Sequence, residues 1–214
     1  MKASASFWND FTLAPSNLLV VGMIGSGKTT FVNLYQLNTR PACRFIFDDL
    51  DRTWPRLKLR PCYTLPQLEA SVPSRWSVFN PGRMFPGKTK DGLRWWCGWV
   101  YSVSQRGPGK KFVCVPEIWR WLTDDAIPQE LALLTQAGRE LDVETVFDTQ
   151  RPELVNPSIT GAATELVCFK LLSPEALREV GKLGADRERI AALPLGSFVS
   201  YNRLTGGELA GKVF

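Results

Sequence analysis

Histidine is absent from all 214 residues. That gap removes every Ser-His-Asp triad, every His-based zinc site and imidazole as a general base at neutral pH. Any catalysis must use carboxylates, amides, Lys, Arg or a metal. Long apolar stretches are also missing: no uninterrupted run approaches the roughly 20 residues of a membrane span, and the N-terminus has neither the basic start nor the apolar stretch of a signal peptide. The chain is expected to be neither secreted nor membrane-spanning. Cysteine is sparse, with five residues (Cys43, Cys62, Cys97, Cys114, Cys168) and no CxxC pair. An odd number, three of them in apolar strand-like runs, reads as reduced core thiols of an intracellular protein. There is no internal repeat and no low-complexity tract, and 44% hydrophobic with 22% charged residues excludes a disordered chain.

What remains is one ordinary domain with a net charge of +5, a surplus that suits a polyanionic partner without requiring one. Residues 1–16 read as a lead-in segment, with Phe7, Trp8 and Phe11 able to pack back on the body, and 17–214 as a single domain. Short apolar runs are expected as strands at Leu18–Val21, Cys43–Phe47, Trp76–Phe79, Lys111–Val115, Val143–Phe147 and Leu166–Leu171. Helices are expected at 28–37, 91–105, 128–141 and 174–182, with an irregular stretch at 52–66 and a closing hairpin at 198–201 and 208–213. Buried strands alternating with helices predict an α/β fold, a mostly parallel central sheet flanked by helices, ending in a C-terminal β-hairpin. Trp95, Trp96 and Trp99 recur at helical spacing with Leu93, Val100 and Val103, which points to burial in the core or between subunits rather than base stacking.

Between the first strand and the first helix lies Gly22-Met-Ile-Gly25-Ser26-Gly27-Lys28-Thr29-Thr30, which satisfies GxxxxGK[ST]. Glycines bring backbone N–H groups onto phosphate oxygens, and the helix N-terminus adds its dipole and unpaired donors. Lys28 would reach the β- and γ-phosphates of ATP, and the Thr29 hydroxyl would coordinate Mg²⁺. Hydrolysis further needs a group to orient water and one to stabilise γ-phosphoryl charge. Glu117 directly follows the buried strand KFVCV and Pro116, where a carboxylate would stand beside the phosphates; the alternative is a cap for the segment carrying Trp119 and Trp121. Gln150 ends the next strand and could hydrogen-bond both water and γ-phosphate, the alternative being a satisfied loop amide.

GMIGSGKTT, FIFDD, VCVPE and LLTQAGRELDVETVFDTQRPELVNPSI together resemble the FtsK and HerA superfamily of ring-forming, DNA-pumping ATPases. Gly138-Arg139 followed by Gln150-Arg151-Pro152 is the most specific part beyond the phosphate loop. The tail LLSPEALREVGKLGADRERIAALPLGSFVSYN is similar to that superfamily's ending, a short helix pair before a Leu-Pro-x-Gly-x-Phe strand. The resemblance spans roughly residues 17 to 203 and implies a RecA-like P-loop NTPase core. It implies that Glu117 activates water, Gln150 senses the γ-phosphate and Arg139 is an arginine finger for a neighbouring subunit; Arg139 also fits an exposed cation near a helix end. The chain departs from the pattern at one position, where Pro116 stands in place of the usual Asp. Mg²⁺ would then rely on Thr29 plus another carboxylate, Asp48 or Asp148, each of which also fits a strand-end cap.

Within that superfamily the near-minimal length resembles the genome-packaging ATPases of tailless, membrane-containing viruses. That resemblance implies a virion-associated protein of the host cytoplasm (cytoplasmic if not viral), acting on double-stranded DNA as a homo-oligomeric ring, with six subunits the expectation, and docking on a capsid vertex or membrane protein. Two basic loops are candidates for DNA contact through Lys88, Lys90, Lys110 and Lys111, solvated turns being the alternative. Other FtsK/HerA-type pumps or phage-assembly ATPases, a nucleotide-type kinase, and a non-hydrolysing assembly factor stand as competing functions.

Overall fold

The computed structural model describes residues 17–50, 59–121 and 127–214, which cluster into two units. The expected packing of Phe7, Trp8 and Phe11 lies outside the described residues, as does much of the 52–66 stretch. The first unit comprises 17–40, 117–121 and 146–214, and the second 41–50, 59–116 and 127–145.

In the first unit, β1 (Asn17–Val21) pairs in parallel with β6 (Glu165–Phe169), with Leu19 opposite Leu166 and Val21 opposite Cys168. Both strands are near-continuous apolar runs because both faces are covered. Antiparallel β7 (Ser197–Asn202) and β8 (Glu208–Lys212) extend the sheet from β6. The outermost strand alternates exposed and half-buried residues and ends in Lys212, which discourages edge pairing with other chains. Helix α1 (Lys28–Thr39) buries Phe31, Val32, Tyr35 and Gln36. Phe31 packs edge-on against Phe198 and Phe169, with ring centroids 4.9 and 5.9 Å away. The helix stops at Arg40, which turns left-handed (φ 48°) before Pro41.

The second unit holds β2 (Cys43–Phe47), which pairs in parallel with both β3 (Trp76–Phe79) and β4 (Lys111–Val115). Helix α2 (Leu65–Ser71) falls where the sequence showed no periodicity, since it buries only Leu68. Helix α3 (Thr89–Ser104) presents the tryptophan stripe: Trp96 is fully buried, its ring 5.6 Å from that of Phe47, while Trp99 meets Phe45 at 5.7 Å. Trp96 is therefore core, while Trp95 and Trp99 remain half-buried. Helix α4 (Gln129–Gln136) is shorter than expected, followed by a 3-10 turn at Gly138–Leu141. Gly138 sits so close to Val143 that a Cβ would lie 3.1 Å from its side chain. Glycine, with no Cβ, allows that close approach where the α-helix gives way to the 3-10 turn.

Strand β5 (Val143–Thr149) runs through both units, so the order reads β3-β2-β4-β5-β1-β6-β7-β8, a mostly parallel eight-stranded sheet. The remaining helices α5 (Pro157–Ala162), α6 (Pro174–Lys182) and α7 (Arg187–Ala192) belong to the first unit. Each has a side-chain N-cap, from Asn156, Ser173 and Asp186 respectively, so these helices start where the sequence supplies an acceptor. α6 and α7 form the expected helix pair before the final hairpin. Cys62, Cys97, Cys114 and Cys168 are buried, Cys43 is half-buried, and all five are free thiols.

Candidate active site

The phosphate loop leaves β1 at Gly22 and is fixed from both flanks. The Gly22 N–H donates to Thr149 O at the end of β5 (3.2 Å), and the Met23 N–H to Lys170 O after β6 (2.9 Å). Gly22 has no room for a side chain, since a Cβ would lie 2.6 Å from both Phe169 Cβ and Ser26 Oγ. Gly27 adopts φ 113° as the residue before α1, and a Cβ there would meet Val213 at 2.8 Å. The tail motif identified in the sequence braces this loop directly: Gly196 N–H donates to Ser26 O (3.0 Å), and Val213 N–H to Gly196 O (2.8 Å).

Lys28 folds back over the loop, its Nζ donating to Gly22 O (2.7 Å) and Met23 O (3.2 Å). It is 6% exposed, and burial lowers its pKa while the Asp148 and Glu117 carboxylates oppose that shift. Among the described residues Ser26 Oγ is buried without a partner and the first-turn amides of Lys28, Thr29 and Thr30 donate to no carbonyl. Thr29 itself is exposed. An orphaned hydroxyl, free amides and a cation curled round them suit a polyphosphate.

Facing this loop in the same unit is an acidic group built by two chain segments. Glu117, half-buried, takes a left-handed backbone (φ 48°, ψ 50°), which costs a non-glycine residue about 1–2 kcal/mol. Several hydrogen bonds enforce it. Its N–H donates to Asp148 Oδ1 (2.7 Å), and its C=O accepts from Arg120 N–H (3.0 Å). Its carboxylate does not cap the 3-10 turn Ile118–Arg120. Instead Oε1 accepts from Gln150 Nε2, and Oε2 accepts from Trp119 Nε1 (2.9 Å) and Gln150 N–H (3.3 Å). Asp148 is buried and its carboxyl is pushed up to about 6, chiefly by desolvation and then by the Glu117 charge, against the pull of the Glu117 N–H and Lys28. Lys28, Asp148, Glu117 and Gln150 therefore form one coupled cluster.

The remaining sequence candidates belong to the second unit. Asp48 belongs to the second unit, where its Oδ1 accepts the Leu50 N–H (3.3 Å) as a strand-end turn; Asp148, by contrast, is electrostatically coupled to Lys28. Arg139 is exposed in the 3-10 turn of the second unit. Lys88 and Lys90 are exposed at the start of α3. Lys110 and Lys111 are committed internally: Lys110 Nζ pairs with the fully buried Glu144 (2.5 Å), and Lys111, opening β4, donates to Leu141 O (2.9 Å). They are not free basic tips of a loop. Trp119 entered the sequence reading only as part of the segment that Glu117 would cap, and its indole bond to the Glu117 carboxylate was not foreseen.

No protein-family model matches the chain, and no curated protein does. Solved structures do match. The genome-packaging NTPase B204 of Sulfolobus turreted icosahedral virus 2, in complex with AMPPCP, superposes with a TM-score of 0.75 at 17% identity, over 92% of this chain and 97% of that one. B204 of Sulfolobus turreted icosahedral virus, the DNA-packaging ATPase, gives 0.69 at 15% identity over 94% and 98%. The chain shares the P-loop NTPase fold of these packaging enzymes. The same fold extends to the cytoplasmic domain of the type VII secretion ATPase EccC of Thermomonospora curvata, with a TM-score of 0.60 at 15% identity, matched over 92% of this chain but 24% of that one. Among the described residues no helix is long and apolar enough to cross a membrane.

Proposed function

We propose that this chain is an ATP-hydrolysing DNA translocase that pumps a double-stranded viral genome into a preformed capsid as a homo-oligomeric ring. The observation that carries the reading is the convergence of the Lys28 loop with Glu117 and Gln150, in a fold shared with packaging NTPases over nearly the full length of both chains. The triphosphate lies on the amides of residues 25–30, and Lys28 leaves the Gly22 and Met23 carbonyls for the β- and γ-phosphate oxygens. Glu117 accepts a proton from the attacking water while Gln150 bridges water and γ-phosphate. Arg139, offered to a neighbouring subunit, stabilises charge on the transferring phosphoryl group.

The donor set suits Mg²⁺, which takes one or two carboxylates plus substrate phosphates rather than an all-protein cage. Among the described residues no cluster of three or more His, Cys, Asp or Glu could hold a metal by itself. Thr29 and Asp148 would hold the ion, which would neutralise charge on the β- and γ-phosphates. The exposed Lys88 and Lys90 are the candidate contacts to the DNA backbone, and the protein would act in the host cytoplasm and associate with the virion. Measuring ATP turnover with and without long duplex DNA, together with particle mass in solution, tests the reading. DNA-stimulated turnover by an oligomer supports it. Phosphoryl transfer to a small acceptor by a monomer would mark a kinase, and binding without turnover an assembly factor.

A further inference from the structure

We propose that Trp119 is a positioning residue for the Glu117 carboxylate, its indole N–H holding Oε2 so that Oε1 is the oxygen left to face water. This rests on the reading of Glu117 as the base. In the present arrangement three donors hold Glu117: Gln150 Nε2 on Oε1, and Gln150 N–H with Trp119 Nε1 on Oε2. They are not equivalent. The Gln150 side-chain amide is the group that turns toward a γ-phosphate, and when it does Oε1 is released. The carboxylate then keeps the Trp119 bond at 2.9 Å and the longer Gln150 backbone contact at 3.3 Å. Trp119 supplies the stronger remaining anchor on a half-buried side chain that would otherwise sample several rotamers.

The indole suits this role chemically. Its Nε1–H donates only and does not titrate at working pH, so it orients the base without entering the proton transfer. The ring is itself held: the Arg151 guanidinium lies 5.4 Å from its centroid. Arg151 in turn donates through Nε to Glu153 (3.2 Å) and through N–H to Thr149 Oγ1 (2.9 Å), the residue before Gln150. Base, sensor and anchor thus share one small rigid frame. Asp148 holds the main chain of Glu117 and Trp119 holds its side chain.

The test compares Trp119→Phe with the parent and with Trp121→Phe, a neighbouring indole outside the cluster, in steady-state ATP turnover, direct ATP binding and thermal unfolding. Loss of a charge-assisted donor is expected to lower kcat about tenfold to a hundredfold while the KM and Kd for ATP stay within about twofold. Should Trp119→Phe unfold, replacing the indole by benzothienylalanine keeps the shape and removes only the N–H, with the same kcat loss expected. Parental kcat in either Trp119 variant, a loss carried mainly by KM, or an equal loss in Trp121→Phe overturns the inference. Glu117→Gln separates the two levels. If it is inactive while Trp119→Phe is unchanged, only the positioning role falls; if it turns over ATP at the parental rate, the reading of Glu117 falls and the positioning role with it.

Discussion

Asp148 is the most informative residue to replace, because its cost and its use pull in opposite directions. Its carboxyl rises from 3.8 to about 6 on folding, so the nucleotide-free chain is stabilised at low pH by the protonated form and loses that contribution as pH climbs through about 6. At pH 8 the group is ionised in both states and the shift costs the fold about 3 kcal/mol; at pH 4.5 it is protonated in the fold, and taking up the proton that the unfolded chain has mostly released costs about 1 kcal/mol. Asp148→Asn stays neutral and retains an oxygen for the Glu117 N–H. With chelator and no nucleotide, the variant is expected to melt roughly 6–12 °C above the parent at pH 8, taking about 2–4 °C per kcal/mol for a chain of this size. That gap should shrink to about a third at pH 4.5. The variant should also lose Mg²⁺-dependent tightening of ATP binding. Thermal midpoints from pH 4.5 to 8, read as the difference between the two proteins, provide the measurement. A difference that stays flat across that range, or a variant less stable than the parent at pH 8, would refute the argument.

Other perturbations separate structural from functional cations. Lys110→Ala removes the ammonium that pairs with the fully buried Glu144 and should cost about 3 kcal/mol in denaturant unfolding. Replacing Lys88 and Lys90 together should leave stability nearly unchanged but reduce the slope of log affinity for duplex DNA against log salt by roughly 2. An unchanged slope clears that loop. Arg139→Ala should fold and bind ATP yet lose on the order of 10³-fold in turnover. Mixing it with Lys28→Ala subunits should restore part of the activity, and absence of recovery in assemblies shown to exchange subunits would place the arginine's role within one subunit.

CRFIF and KFVCV gave strand bounds that the structure reproduces, because parallel strands covered on both faces contain little but apolar residues and end at their first turn. α2 carried no comparable signal, with a single buried leucine in seven residues. The helix expected over 128–141 ends at Gln136 and continues as a 3-10 turn at Gly138–Leu141, a change of winding that the apolar spacing does not encode. Asp48 and Asp148 were equivalent on paper, each closing an apolar strand, and only the tertiary coupling of Asp148 to Lys28 separates them. Lys110 read as a loop cation because its partner, Glu144, is remote in sequence and points inward from β5. The phosphate loop was legible because its glycines answer to local backbone geometry: Gly27 needs a positive φ, and Gly22 needs close approach to Phe169 and Ser26.

The proposed mechanism makes Glu117 the base of an ATPase whose phosphate loop is already formed. Glu117→Gln tests it most directly, since the amide preserves shape and the Trp119 acceptor but cannot take a proton. ATP affinity and single-turnover hydrolysis should be measured on the same preparation in the presence of long duplex DNA. Parental affinity with hydrolysis slowed by about 10²-fold or more is expected; hydrolysis at the parental rate, with ATP bound as tightly, would remove Glu117 from that role.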